Sequence, residues 1–212
     1  KGPNKCIASH EFYETDSSRG FVRGFSFETQ RGYGPVATAL RGTFTGRIPR
    51  GPGHHAAYRK LSERMMGLVA ICEDLPEAHN QVTLDLELTD ADGIPAPKVA
   101  YQLSENSRRM IDFAVARGTE IMEAAGAEDV IVNRLLTNAG WHNMGTARMG
   151  RNPETSVVNE WGRSHDVRNL FVIDGSLFVT SAGVNPTRTI QALALYVADE
   201  IKRRLAAATL FD

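Results

Sequence analysis

Trp-His-Asn-Met-Gly-Thr-Ala-Arg-Met-Gly (141–150), Asn-Leu-Phe-Val-Ile-Asp-Gly-Ser (169–176) and Gly-Val-Asn-Pro-Thr-Arg-Thr-Ile (183–190) belong to one stretch, whose reading decides the fold. Within it, the apolar run Leu170-Phe171-Val172-Ile173 ends on a carboxylate followed by glycine. A run of that length between turn residues suits a strand buried on both faces, as in a parallel sheet, although length alone leaves a helix fragment open. Open parallel sheets bind ligands at the carboxyl ends of their strands. Asp174 and Gly175 are therefore expected beside a ligand, the glycine offering an approachable backbone. Behind Asn185-Pro186, the residues Ile190, Leu193, Val197, Ile201 and Leu205 fall on one helical stripe. Proline suits the first turn of a helix, and the N–H groups there attract negative charge. The cations of Lys202-Arg203-Arg204 sit at the other end, where the dipole favours them.

His142 lies in a glycine-rich segment without regular periodicity, which reads as a loop. A histidine there can serve as a base near neutral pH, or it can merely satisfy a backbone group. Residue type alone leaves both roles open.

His-Asn-Met-Gly-Thr-Ala-Arg-Met-Gly, Val-Ile-Asp-Gly-Ser and Asn-Pro-Thr-Arg-Thr-Ile, in this order and spacing, resemble the C-terminal signature of glucose–methanol–choline (GMC) oxidoreductases. These are flavoproteins that oxidise alcohols and sugars, and the match is strong over roughly residues 138–205 and loose before residue 135. Within the family the chain looks most like the bacterial sugar and polyol dehydrogenases. The resemblance implies FAD as cofactor, His142 as the catalytic histidine and Asn185 as the second active-site position. It also implies that Asp174 and Gly175 meet the ribityl–pyrophosphate region of FAD. Asn185, Pro186 and Thr187 match the segment that approaches the pyrimidine edge of the flavin.

Composition sets the outer limits. The 212 residues are 42% hydrophobic and 23% charged, an ordinary globular composition with enough chain for a real core. A net charge of −1 gives no basis for a nucleic-acid partner or an anionic membrane surface. No window approaches the roughly 20 apolar residues of a membrane span. Cys6 and Cys72 have neither a disulfide framework nor metal-ligand spacing, and read as buried or half-buried thiols. The expectation is a soluble protein, cytoplasmic or periplasmic in a bacterium, with the compartment left open.

The family also carries an N-terminal βαβ unit with a Gly-x-Gly-x-x-Gly turn. The nearest match, Gly32-Tyr33-Gly34-Pro35-Val36-Ala37, contains a proline and has no acidic residue about 20 positions on, so it reads as a turn. The chain begins Lys-Gly-Pro and is expected to be the C-terminal part of a longer enzyme: a fragment, a processed product or one piece of a split protein.

Taken in order, Asp16-Ser17-Ser18-Arg19-Gly20 is a turn, and Phe21 to Thr29 alternates as a strand whose aromatics pack in a core. Residues 30–56 read as a long loop rich in Gly, Pro and Arg, holding a solvated His54-His55 pair without metal-ligand spacing. Tyr58 to Leu68 has helical character, ending near Gly67. Gln81 to Leu88 is the clearest strand, with Val82, Leu84, Leu86 and Leu88 as its buried face. Thr89 to Pro97 reads as a turn-rich connector, and Lys98 to Leu103 as an antiparallel partner strand. Glu105 to Ala125 is an amphipathic helix with Met110, Ala114, Ile121 and Ala125 inward and Gly126 closing it.

The fold class is then α+β with α/β character. Residues 1–134 are expected to form an antiparallel-sheet substrate domain, and 135–212 the C-terminal portion of a Rossmann-like FAD-binding domain. The resemblance implies hydride transfer from a substrate CH–OH to the flavin N5, with His142 as base and Asn185 orienting the oxygen. The partners are a sugar or other alcohol and the N-terminal FAD-binding portion, possible as a separate chain. Two rivals stand beside this: a non-catalytic carbohydrate-binding or regulatory module that keeps the fold, and one subunit of a split dehydrogenase complex.

Overall fold

The computed structural model describes residues 5–30, 32–62, 64–136, 140–207 and 209, with the side chains of Lys5 and Cys6 outside that description. The expectation for Cys6 therefore lies outside the described residues. Cys72 is a half-buried free thiol. The chain divides into two compact units, Lys1–Cys72 with Arg109–Leu136, and Glu73–Arg108 with Thr137–Asp212. Among the described residues, the architecture mixes helices with antiparallel sheets, and no helix is long and apolar enough to cross a membrane.

The first unit is built on a three-stranded antiparallel sheet of β1 (Lys5–Ser9), β2 (Phe25–Gln30) and β3 (Gly67–Cys72), with β2 in the middle. The strand expected from Phe21 begins only at Phe25. Arg23 takes a left-handed φ of 70°, which breaks the extended run. Gly24 then passes so close to Tyr13 that a Cβ there would lie 2.0 Å from the Tyr13 carbonyl oxygen. Because β2 is central, Phe25 to Glu28 are all buried, Ser26 and Glu28 included. The aromatics pack as core: Phe21, Phe25 and Phe27 cluster with Met110 and Ala114, and Phe12 stacks on Phe25 at 5.2 Å.

The long loop expected over residues 30–56 holds a full helix and the start of a second. Helix α1 spans Pro35–Phe44 and α2 spans His54–Leu61. Pro35 opens α1, where its missing N–H costs nothing, so the supposed turn at Gly32–Ala37 is a helix start. Gly42 in mid-helix lowers the helical signal for a packing reason. A Cβ there would lie 2.3 Å from Ile48 Cδ1, and Ile48 is fully buried against it. His54 and His55 open α2 instead of standing in a solvated loop, with His54 Nδ1 3.2 Å from the Pro49 carbonyl oxygen. The expected Tyr58–Leu68 helix stops at Leu61, and Gly67 opens β3.

Helix α3 runs over Glu105–Ala124 and continues from residues of the second unit into the first. Ser104 Oγ accepts from Ser107 N at 3.1 Å at its start, and Gly126 (φ 88°) lets Ala127 N reach the Met122 carbonyl at its end. Met110 and Ala114 are buried as expected. Ile121 is 41% exposed and Ala125 is exposed, so these two do not join the inward stripe.

In the second unit, β4 (Gln81–Thr89) pairs antiparallel with β5 (Pro95–Ala100), as expected in kind though β5 starts earlier. Asp90 Oδ1 accepts from the N–H groups of Asp92 and Ile94, each at 2.9 Å, which makes the connector a tight Asx turn. The expected buried face is a correction. Val82, Leu84, Leu86 and Leu88 are all exposed, Leu86 by 80%, because the ribbon carries no covering layer among the described residues.

The parallel strand expected at Leu170–Ile173 is also absent. Its amides turn inward on a local loop instead: Val172 N donates to Gly162 O at 2.8 Å, while Leu170 O accepts from Ser164 N at 2.9 Å. These bonds flank one isolated antiparallel bridge, Phe171 with Arg163, which is too short to make a strand. Helix α4 (Thr187–Ala206) follows the expected stripe, with Val197 buried and Ile190, Leu193 and Ile201 half-buried; Leu205 is 64% exposed.

Candidate active site

The site residues expected from the sequence, His142, Asp174, Gly175, Asn185, Pro186 and Thr187, all fall in the second unit. The segment 141–150 has no helix or ladder of its own, so its backbone needs partners elsewhere. Its end pairs with Val157 and Val158, where Gly150 N donates to Val158 O at 2.8 Å, and three further N–H groups reach one 3-10 turn, Gly175–Leu177. Gly145 N donates to Gly175 O at 3.3 Å, Ala147 N to Ser176 O at 3.0 Å, and Met149 N to Leu177 O at 2.9 Å. Leu177, fully buried, anchors the turn from below.

Asp174 caps that turn. Its Oδ1 accepts from Ser176 N at 2.8 Å and from Ser176 Oγ at 2.6 Å. The hydroxyl first, and then the N–H, hold the Asp174 carboxyl below the usual carboxylate range. The carboxylate itself is exposed.

Gly175 is buried, and its missing side chain is used by the chain. A Cβ there would lie 3.2 Å from the Asn143 carbonyl oxygen, 3.4 Å from Ile190 Cδ1 and 3.6 Å from Met144 Cγ. The residue next to His142 and the first turn of α4 therefore both close on Gly175. His142 is half-buried at the head of this loop, between exposed Trp141 and exposed Asn143.

Helix α4 is capped by Pro186 (φ −85°), and its first intrahelical bond runs from Ile190 N to Pro186 O at 3.0 Å. The N–H groups of Thr187, Arg188 and Thr189 precede that bond and are the donors a helix start leaves for other partners. Those three residues and Asn185 are exposed, and Pro186 is half-buried. The arrangement offers an acceptor carboxylate, a helix N-terminus, an amide side chain and an imidazole in one unit. That is a donor and acceptor set suited to a polyhydroxylated, partly anionic ligand. Among the described residues, no group of three His, Cys, Asp or Glu side chains could hold a metal ion.

Two supporting groups escaped the sequence reading. His165 Nε2 lies 3.1 Å from the Gly150 carbonyl and 3.0 Å from Ser156 Oγ, while Ser156 Oγ donates to Asn152 O at 2.6 Å. A carbonyl can only accept, so Nε2 carries the proton, and the imidazole fixes the far end of the His142 loop. Asp74 joins residues distant in sequence: it accepts from Tyr101 Oη at 2.5 Å and from Ser107 Oγ, and its main-chain carbonyl accepts from Ser181 Oγ at 3.1 Å. Partial desolvation, then the bond to Asp74 and its charge, push the Tyr101 phenol above its usual range. No spacing signal links residues 107 positions apart, which is why neither periodicity nor motif found this contact.

Comparison with known proteins adds to this geometry. The family model described as GMC oxidoreductase matches residues 76–194, more than half of the chain. A 2-methyl-1,2-propanediol dehydrogenase of Mycolicibacterium austroafricanum is 42% identical over 202 residues, 94% of this chain and 36% of the relative. A fructose dehydrogenase large subunit of Gluconobacter japonicus is 34% identical over 143 residues, 68% of this chain and 26% of the relative. A gluconate 2-dehydrogenase flavoprotein of Pantoea cypripedii is 30% identical over 133 residues, covering 59% of this chain and 22% of the relative. The chain thus spans about a third or less of the length of these relatives.

Proposed function

The chain belongs to the GMC oxidoreductases, and on that premise we propose that it is the C-terminal part of an FAD-dependent dehydrogenase acting on a sugar or polyol. In this reading residues 135–212 complete a Rossmann-like FAD-binding domain and residues 1–134 form the substrate side. FAD, when bound, supplies the hydride acceptor. The residues present fit it in two respects. An ionised carboxylate accepts from hydroxyls and repels phosphate, so Asp174 suits the hydroxyls of the ribityl chain, with Gly175 keeping the backbone close behind it. The donors at the start of α4, with Asn185, Pro186 and Thr187, suit the carbonyls of the pyrimidine edge.

His142, in its neutral form, takes the proton from the substrate hydroxyl. The Asn185 amide donates to the same oxygen and orients it. An amide does not titrate, so Asn185 leaves the whole acid–base burden on His142. What supports the reading is the convergence on Gly175 of the His142 loop, the Asp174 turn and the first turn of α4.

The test is anaerobic mixing of the complete enzyme with a sugar or diol while flavin absorbance is followed. His142→Ala should slow flavin reduction by about 10² while the flavin stays bound. Unchanged kinetics would leave His142 a structural residue. The relative named as a large subunit favours the further reading that this chain works within a complex, and the mass of chains co-purifying with it decides that.

A further inference from the structure

We propose that Asp74 is a positioning residue for the active site, acting through Ser181 on the segment that carries Asn185. The inference rests on the reading of Asn185 given above. Residues 181–186 form neither helix nor strand, so no ladder fixes their course. Ser181 Oγ, just upstream of Gly183-Val184-Asn185, donates to the Asp74 main-chain carbonyl at 3.1 Å.

Asp74 is itself fixed from two other directions. Its Oδ2 accepts from Tyr101 Oη at the end of the β5 strand region, at 2.5 Å, and its Oδ1 accepts from Ser107 Oγ in the first turn of α3. Ser107 is in turn tied to Ser104, with 3.0 Å between the two hydroxyl oxygens. Bonds from neutral hydroxyls to an ionised carboxylate are among the stronger hydrogen bonds a side chain makes. The Asp74 carbonyl that receives Ser181 is thus locked by its own side chain, and three hydroxyls separated in sequence meet on one residue. Asp74 touches no reacting atom in this scheme. It fixes the origin from which Asn185 reaches the substrate oxygen, and small misplacements of such a group are costly.

The experiment uses the complete flavoenzyme, its flavin content and unfolding midpoint checked for every variant. Asp74→Ala and Ser181→Ala should each lower the limiting rate of flavin reduction at saturating substrate by about fivefold to tenfold. Asp74→Asn should recover most of that loss, because its amide oxygen accepts from one hydroxyl and its amide N–H donates to the other. In an Asn185→Ala background, adding Asp74→Ala or Ser181→Ala should slow reduction no further, since the path through Asn185 is already cut. If Asn185→Ala is slow but the Asp74 and Ser181 changes are neutral, or add fully to it, the positioning role is overturned and the site reading stands. If Asn185→Ala reduces at the wild-type rate, the site reading falls, and this proposal falls with it. Should Asp74→Ala not fold, Asp74→Asn and Ser181→Ala carry the same comparison.

Discussion

The N–H of Ala147 donates to the carbonyl oxygen of Ser176 at 3.0 Å, and this bond is the middle one of three that fasten the His142 loop to the Asp174 turn. The donors are Gly145, Ala147 and Met149, every second residue of the loop; the acceptors are Gly175, Ser176 and Leu177, consecutive residues of a 3-10 turn. Gly145 takes a left-handed φ of 84° and Thr146-Ala147 make a turn, so the segment curls and brings three N–H groups onto three successive carbonyls. The loop is therefore held by backbone, and its side chains remain available for chemistry.

Gly175→Ala tests that attachment. The new methyl would press on the Asn143 carbonyl oxygen at 3.2 Å, which is main chain that cannot swing aside, while Ile190 Cδ1 at 3.4 Å is ordinary contact. The complete protein should lose about 1–3 kcal/mol of stability in denaturant unfolding. Flavin reduction should slow as well, because Asn143 adjoins His142. A variant with wild-type stability and kinetics would show that the loop adapts freely.

Gly118→Ala should do the opposite. Gly118 lies within α3, and a Cβ there meets Phe27 Cε1 at 3.4 Å and Leu68 Cδ2 at 3.7 Å, ordinary contact distances. Replacing glycine in a helix interior gains about 0.5–1 kcal/mol, and the methyl here also fills space beside the aromatic core. A lowered unfolding midpoint would mean that Phe27 cannot yield even slightly.

These two glycines also show what the sequence made legible. The order and spacing of the three C-terminal motifs identified the family because backbone-held loops leave their marks in glycine, asparagine and proline. The same residues misled elsewhere. Pro35 and Gly42 hid α1, since proline at a first turn and glycine under a packed isoleucine both suit a helix that composition argues against. Leu170 to Ile173 reads as a buried strand, yet pairing depends on neighbours the run itself does not encode. The contact between Asp74 and Ser181 is a tertiary fact with no local signature.

Asp174 makes a prediction about pH. Its carboxyl is held below the ordinary value of 3.8 in the folded chain by the Ser176 hydroxyl and N–H. A depressed folded-state pKa gives stability that is present above the unfolded value and is lost as pH falls through the folded one. Asp174→Ala should therefore cost about 0.5 kcal/mol near neutral pH, a figure reduced because the group is exposed. The difference from wild type should shrink steadily below the ordinary carboxylate range. Unfolding curves across that range check the sign: a gap that widens in acid would rule the capping role out.

Asn185 separates two roles that its position merges. It stands one residue before Pro186, the cap of α4, and an Asx side chain there could serve the helix; its amide could instead serve the substrate oxygen. Asn185→Asp keeps the acceptor oxygen and the shape, and it exchanges a donor for a negative charge. At a helix N-terminus that charge is favourable by about 0.3–1 kcal/mol, so folding should hold or improve under either role. Turnover is where the roles diverge. A carboxylate beside the substrate oxygen opposes the charge that develops there and removes the amide donor that orients it. Flavin reduction should then slow by at least about tenfold, roughly 1.4 kcal/mol. Stability retained with reduction slowed assigns Asn185 to the chemistry. Wild-type reduction in a well-folded Asn185→Asp enzyme would return it to the helix.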